Sequence, residues 1–169
     1  DLCGHATLAT AHVLFRHLDH PGDRIDFHSP HSGALSVLKD GDKLVLDFPA
    51  DEIREIPVPN GAAEALHKPP VKAFQGKREL MLVFASHNEV ESMNPDFTKL
   101  ALLGGRGVIV TAMGKEVDFV SRFFAPQTGI SEDPVTGSAH TTLTPYWSRI
   151  LGRNLLTARQ VSSRGGELE

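Results

Sequence analysis

A chain of 169 residues with 40% hydrophobic residues is long enough to bury one large or two small cores and reads as globular. With 22% charged residues and a net charge of -4 it offers no basic surface to hold a phosphate backbone, which argues against nucleic acid as a partner. The apolar stretches fall far short of the ~20 residues a membrane span needs, and the single cysteine, Cys3, excludes an internal disulfide framework and a thiolate metal cluster. A soluble, cytoplasmic protein without a membrane partner is expected. The first residue is Asp1 rather than Met and a dense motif follows at once, so the sequence reads as a fragment.

In chain order, residues 4–15 are small or apolar with no formal charge before Arg16. That pattern, apolar nearly all round, predicts a helix buried on every side. Residues 24–29 and 34–38 alternate polar with apolar, Lys39-Asp40-Gly41-Asp42 supplies a turn, and residues 43–48 alternate again, which predicts antiparallel hairpins. Pro57, Pro59, Asn60 and Gly61 break the pattern before a short helix at 62–67, and Pro69-Pro70 reads as a linker. Strands follow at 71–74, 79–85, 107–113 and 117–124, with a helix at 96–103 among them. Gly104-Gly105-Arg106-Gly107 is followed by a strand instead of a helix, so it reads as a turn and not as a phosphate loop. A second uncharged helix occupies 137–148, with Pro145 kinking it or ending its first segment. The last strand is expected near 157–163.

The two uncharged helices form a weak internal repeat. An offset of 133 places Gly4 on Gly137, His5 on Ser138, Ala6 on Ala139 and Arg16 on Arg149. Both copies share the glycine entry and the delayed first charge. The second helix is preceded by a long strand-rich stretch from Val71 on, the first only by residues 1–3, and few residues follow the second. Both ends therefore read as truncated. Two domains are expected, 1–69 lacking upstream strands and 70–169 lacking closing strands.

A glycine followed by small residues at a helix entry leaves backbone N–H groups pointing outward, where the helix dipole adds positive potential. If the repeat reflects pseudosymmetry, the entries at Gly4 and Gly137 face a shared cleft and bind a carboxylate; close helix packing is the alternative. His5 sits at the first entry, where dipole and burial together favour a neutral ring able to accept or relay a proton; a merely packed histidine is the competing reading. Asp133, in Glu132-Asp133-Pro134-Val135-Thr136-Gly137-Ser138, precedes the second entry with its backbone fixed by Pro134. Its plain reading is helix capping. Ser138 is a ligand-binding hydroxyl or a first-turn residue. The other histidines (His12, His17, His20, His28, His31, His67, His87 and His140) show no metal-ligand spacing, and no metal is expected. Arg122 and Arg164 bind an acid or serve as structural arginines.

Four blocks carry a resemblance: Leu2-Cys3-Gly4-His5-Ala6-Thr7-Leu8-Ala9, Arg122-Phe123-Phe124-Ala125-Pro126, Glu132-Asp133-Pro134-Val135-Thr136-Gly137-Ser138-Ala139-His140 and Gln160-Val161-Ser162-Ser163-Arg164-Gly165-Gly166-Glu167-Leu168. Together, in this order, they resemble the phenazine-biosynthesis-like (PhzF-like) protein family of the diaminopimelate-epimerase-like superfamily. The resemblance implies an α+β fold: two pseudosymmetric domains of mostly antiparallel strands, each wrapping a central helix. It implies an isomerase that moves a proton without metal or organic cofactor. Matched by motif, His5 and Asp133 handle the proton or orient substrate, and Gly4, Gly137 and Ser138 bind the substrate carboxylate. The family's main acid/base, a glutamate in an upstream Asn-x-x-Glu-type segment, falls before the start of this chain. Cys3 has Thr136 as its counterpart in the second copy, which disfavours the two-thiol racemisation of related epimerases.

The expected function is a cofactor-independent isomerase of a small cyclic or unsaturated carboxylic acid, inactive as this fragment alone, with a homodimer as the default assembly. The alternative is a catalytically silent binding or scaffold protein of the same fold.

Overall fold

The computed structural model describes residues 3–30 and 33–169. The chain divides into two compact units, Asp1–Ala50 and Asp51–Glu169. His31, one of the histidines weighed as a metal ligand, and Leu2 of the first motif lie outside the described residues.

The first unit holds helix α1 (Gly4–His17) and strands β1 (Arg24–Ser29), β2 (Gly33–Asp40) and β3 (Lys43–Asp47). The strands form an antiparallel sheet in the order β1-β2-β3. Asp40 pairs with Lys43 across a two-residue turn in which Gly41 takes φ +57°, the left-handed geometry that tight hairpins require. Ala11 and Phe15, four apart on α1, pack with Ile25 of β1 and Val37 of β2. A three-stranded sheet covers one stripe of a helix, and here α1 departs from expectation. Only Gly4, Ala11 and Phe15 are buried, while His5, Ala9, His12 and Val13 are exposed.

The second unit is built on a mixed sheet in the order β11-β10-β8-β7-β6-β5-β4, with β9 pairing on β8. Its strands are β4 (Arg54–Ile56), β5 (Lys72–Gln75), β6 (Glu79–Val83), β7 (Gly107–Met113), β8 (Phe119–Ala125), β9 (Ile130–Asp133), β10 (Ala158–Gln160) and β11 (Gly166–Leu168). The pairs β6–β7 and β8–β10 are parallel. Central strands covered on both faces carry apolar residues at successive positions. Leu80, Leu82, Val108, Val110, Val120 and Phe124 face one core with short helices α2 (Ala62–Leu66), α3 (His87–Glu91) and α4 (Phe97–Leu100). Met81, Val83, Ile109, Phe119 and Phe123 face the other core with α5 (Gly137–Leu151). Ser86 and Asp96 start α3 and α4 by accepting hydrogen bonds from backbone N–H groups of the first turn, the usual capping chemistry.

The change of unit falls at Ala50–Asp51, upstream of the Pro69-Pro70 pair where the sequence suggests a linker. The reason is packing: β4 pairs with β5, and Ala62, Ala65 and Leu66 of α2 are wholly buried in the first of the two cores.

Helix α5 matches its prediction more closely than α1, since no residue from Gly137 to Ser148 is exposed. Ala139, Leu143, Tyr146 and Trp147 recur at helical spacing on its core face. Trp147 stacks on Phe119 at 5.7 Å between centroids, and its ring N–H donates to Thr111 Oγ1 at 2.9 Å. Pro145 does not end the helix, which continues to Leu151. Proline lacks the N–H that would bond the carbonyl four residues back. That carbonyl, on Thr141, accepts instead from the Asp51 N–H at 2.9 Å.

Candidate functional site

The two helix entries share one local geometry. Cys3 precedes α1 with φ -128° and ψ 90°, and Thr136 precedes α5 with φ -112° and ψ 91°. Neither side chain caps its helix. The conformational match at positions 133 apart supports the repeat read from the glycines. The entries belong to separate units.

In the first unit, Gly4 and His5 stand in the opening turn of α1. The His5 ring is exposed, with Nε2 3.6 Å and Nδ1 3.9 Å from Cys3 Sγ. The burial expected to act on this imidazole is therefore absent in the structure.

In the second unit, Asp133, Gly137 and Ser138 are brought together. Asp133 is the final residue of β9, paired with Phe123 of β8 beside a register shift, and Pro134 ends the strand because it has no N–H for the ladder. The plain reading of Asp133 as a helix cap does not hold, since no side chain caps α5. Asp133 Oδ2 accepts the Thr136 hydroxyl proton at 2.5 Å. Among the described residues, the N–H groups of Gly137 and Ser138 and the Ser138 hydroxyl find no hydrogen-bond partner. Unpaired N–H groups at the positive end of a fifteen-residue helix are a ready seat for an anion.

The segment 133–136 rests on the turn after β10. Gln160, fully buried, accepts the Thr136 N–H at Oε1 (2.8 Å) and donates from Nε2 to the Asp133 carbonyl (2.7 Å) and to Thr136 Oγ1 (3.1 Å). Ser162 Oγ donates to the Pro134 carbonyl at 2.7 Å and accepts the Gly165 N–H at 3.1 Å. A Cβ on Gly166 would overlap Val135, so glycine permits the close approach of β11. Sequence reasoning quoted Gln160 within a motif and gave it no role. The available signal was a polar side chain two residues after Ala158, on the inward face of a strand.

His140, one turn into α5, donates from Nδ1 to the Thr136 carbonyl at 2.9 Å. Its Nε2 is sealed from solvent without a partner, and burial pushes its pKa below the usual imidazole value, opposed in smaller measure by the Thr136 bond. Neutral imidazole is the form this setting favours.

Arg122 is held by structural partners. Its Nε and Nη2 clasp Glu132 at 2.6 and 2.9 Å, Nη1 donates to the Met93 carbonyl at 2.6 Å, and the guanidinium lies 5.0 Å from the Phe124 ring centre. Arg164 is exposed. Among the described residues no group of three or more His, Cys, Asp or Glu side chains is gathered as a metal site, and no helix is long and apolar enough to cross a membrane.

A family model described as phenazine biosynthesis-like protein matches residues 1–169. The chain belongs to this family. It is 53% identical over 167 residues to a Pseudomonas aeruginosa protein named an uncharacterized isomerase, covering 99% of this chain and 64% of that protein. Its fold superposes on the crystal structure of an Enterococcus faecalis phenazine biosynthesis protein of the PhzF family with a TM-score of 0.92 and 47% identity, over 99% of this chain and 64% of that one. A Clostridium difficile relative, a putative phenazine biosynthesis PhzC/PhzF protein, gives 0.87 and 41% over the same shares. The chain thus spans 64% of the length of these relatives. The α+β fold is that of the phenazine biosynthesis-like family, of the diaminopimelate-epimerase-like type.

Proposed function

We propose that this family member acts as an isomerase that moves a proton on a small cyclic or unsaturated carboxylic acid, without metal or organic cofactor. The observation that carries the reading is the α5 entry: a carboxylate held by a neighbouring hydroxyl, directly before a helix whose first N–H groups have no internal partner. The N–H groups of Gly137 and Ser138 seat the substrate carboxylate, and charge developing next to it is stabilised by the same dipole. Gly4 has the corresponding part at the α1 entry. Asp133 and His5 orient the substrate and pass the proton, His5 from an exposed ring close to Cys3. The main acid/base in this proposal is a glutamate on a segment upstream of the Cys3-Gly4-His5 block, so turnover belongs to a polypeptide that carries that segment. The name isomerase carried by the Pseudomonas aeruginosa relative supports the class of reaction.

The test is solvent-deuterium uptake. A polypeptide carrying the upstream segment is incubated in D2O with a panel of cyclic and unsaturated carboxylates, and each is followed by proton NMR. Deuterium entering a carbon next to the double bond of at least one acid is the expected result. Acids that bind without any uptake would instead establish a silent binding protein.

A further inference from the structure

We infer that Gln160 is a positioning residue for Asp133, acting through the Thr136 hydroxyl; the functional meaning of this rests on the isomerase reading above. A carboxamide has one acceptor oxygen and two N–H donors, and all three of these groups are spent on the segment 133–136. Oε1 takes the Thr136 N–H, while Nε2 gives one hydrogen to the Asp133 carbonyl and one to Thr136 Oγ1. This pattern fits only one orientation of the amide, because the flipped group would set two carbonyl-type oxygens against each other and two N–H groups face to face.

The consequence for Asp133 follows from the hydroxyl's single proton. Thr136 Oγ1 receives an N–H from Gln160, which occupies a lone pair, and its own hydrogen is left for Asp133 Oδ2 at 2.5 Å. Turned toward Gln160 and Asp133, Thr136 Oγ1 makes no capping bond to α5, although threonine in this position ordinarily does so. The helix entry keeps its N–H groups open and the carboxylate is held by a neutral donor. Gln160 is fully buried and sits in register opposite Ser121 of β8 and Gly166 of β11, so its backbone is held by the sheet on both sides. Buried networks with every member satisfied specify a single arrangement. The chain of contacts ties the blocks at 132–140 and 160–168 together in space: the second is the seat of the first.

The test reads the Asp133 side-chain carboxyl carbon by NMR in the ligand-free protein, assigned by its disappearance in Asp133→Asn. Gln160→Met and Thr136→Val should each shift this resonance, whereas Thr136→Ser, which keeps the hydroxyl, should leave it in place. A Gln160→Met protein that folds with the Asp133 resonance unmoved would overturn the proposal, whatever its melting temperature. Should Gln160→Met not fold, Gln160→Asn, whose amide falls one methylene short of Thr136, is read in its place, and an unmoved Asp133 resonance in that protein would overturn the proposal. No substrate enters the measurement, so an absence of turnover tells against the isomerase reading only, and an unmoved resonance tells against Gln160 only.

Discussion

Asp51 donates its backbone N–H to the Thr141 carbonyl, the one carbonyl in α5 that Pro145 deprives of a helical donor. The Asp51 carboxylate adds a bond from Thr142 Oγ1 at 3.1 Å and two at 3.3 Å from the Lys77 N–H. The first residue of the second unit is thus tied to α5 at its proline. Pro145→Ala restores an N–H able to reach Thr141, which competes with Asp51. Amide hydrogen exchange at Asp51 should be slow in the native protein and faster in Pro145→Ala, while amides in β7 keep their protection.

Removing the Arg122 clasp should be costly. Its side chain and that of Glu132 are 11% and 18% exposed, and truncation leaves a largely buried carboxylate and the Met93 carbonyl without a donor. Arg122→Ala should lose about 3–5 kcal/mol of stability in urea unfolding, the range for breaking a buried pair from one side. Arg122→Lys should recover only part of this, since an ammonium lacks the two-pronged fork. Binding of small carboxylates by the folded fraction should be unchanged.

Gly166→Ala sets a methyl group against Val135, and overpacking of this kind costs about 1–3 kcal/mol. Adding Val135→Ala removes the obstructing methyls. The double variant should be more stable than the sum of the two single effects requires, a coupling expected of residues in contact. Thermal unfolding of the four proteins measures it.

The pH dependence of stability should carry a His140 contribution of fixed sign. Burial lowers its pKa from 6.5 in the folded chain, so below that value the unfolded chain binds more protons and stability falls as the pH drops. From about a unit above pH 6.5 both states hold a neutral ring and the contribution is constant. The difference in urea midpoint between the native protein and His140→Gln should therefore change between pH 7 and 5 and be flat above about pH 7.5. Glu79 acts in the opposite sense: burial raises its pKa above 4.5, and its contribution is lost as the pH rises through the folded value.

Much of the fold was readable because the signals were local. Alternation located β1 within its bounds and the run at 107–113 located β7, while the uncharged stretches gave both long helices. Elements that depend on partners were not readable. β4 and β11 are three-residue strands that exist by pairing with a neighbour, and β9 sits in a segment read only as chemistry. The burial expected of α1 failed because an uncharged sequence permits burial on all sides without supplying the surfaces that produce it. At the proposed site, Asp133 and Gly137 stand out in the sequence through their motif. Gln160 was passed over because its role depends on a parallel pairing with β8 that no periodicity encodes.

The most direct check on the central claim is the rate of deuterium uptake into a turned-over carboxylate by a polypeptide carrying the upstream segment, compared with its Asp133→Asn and His5→Gln variants. If these groups handle the proton, kcat should fall by about 10²–10⁴ in Asp133→Asn, with a smaller loss in His5→Gln and little change in the affinity for the acid. Undiminished uptake in both variants would contradict the account.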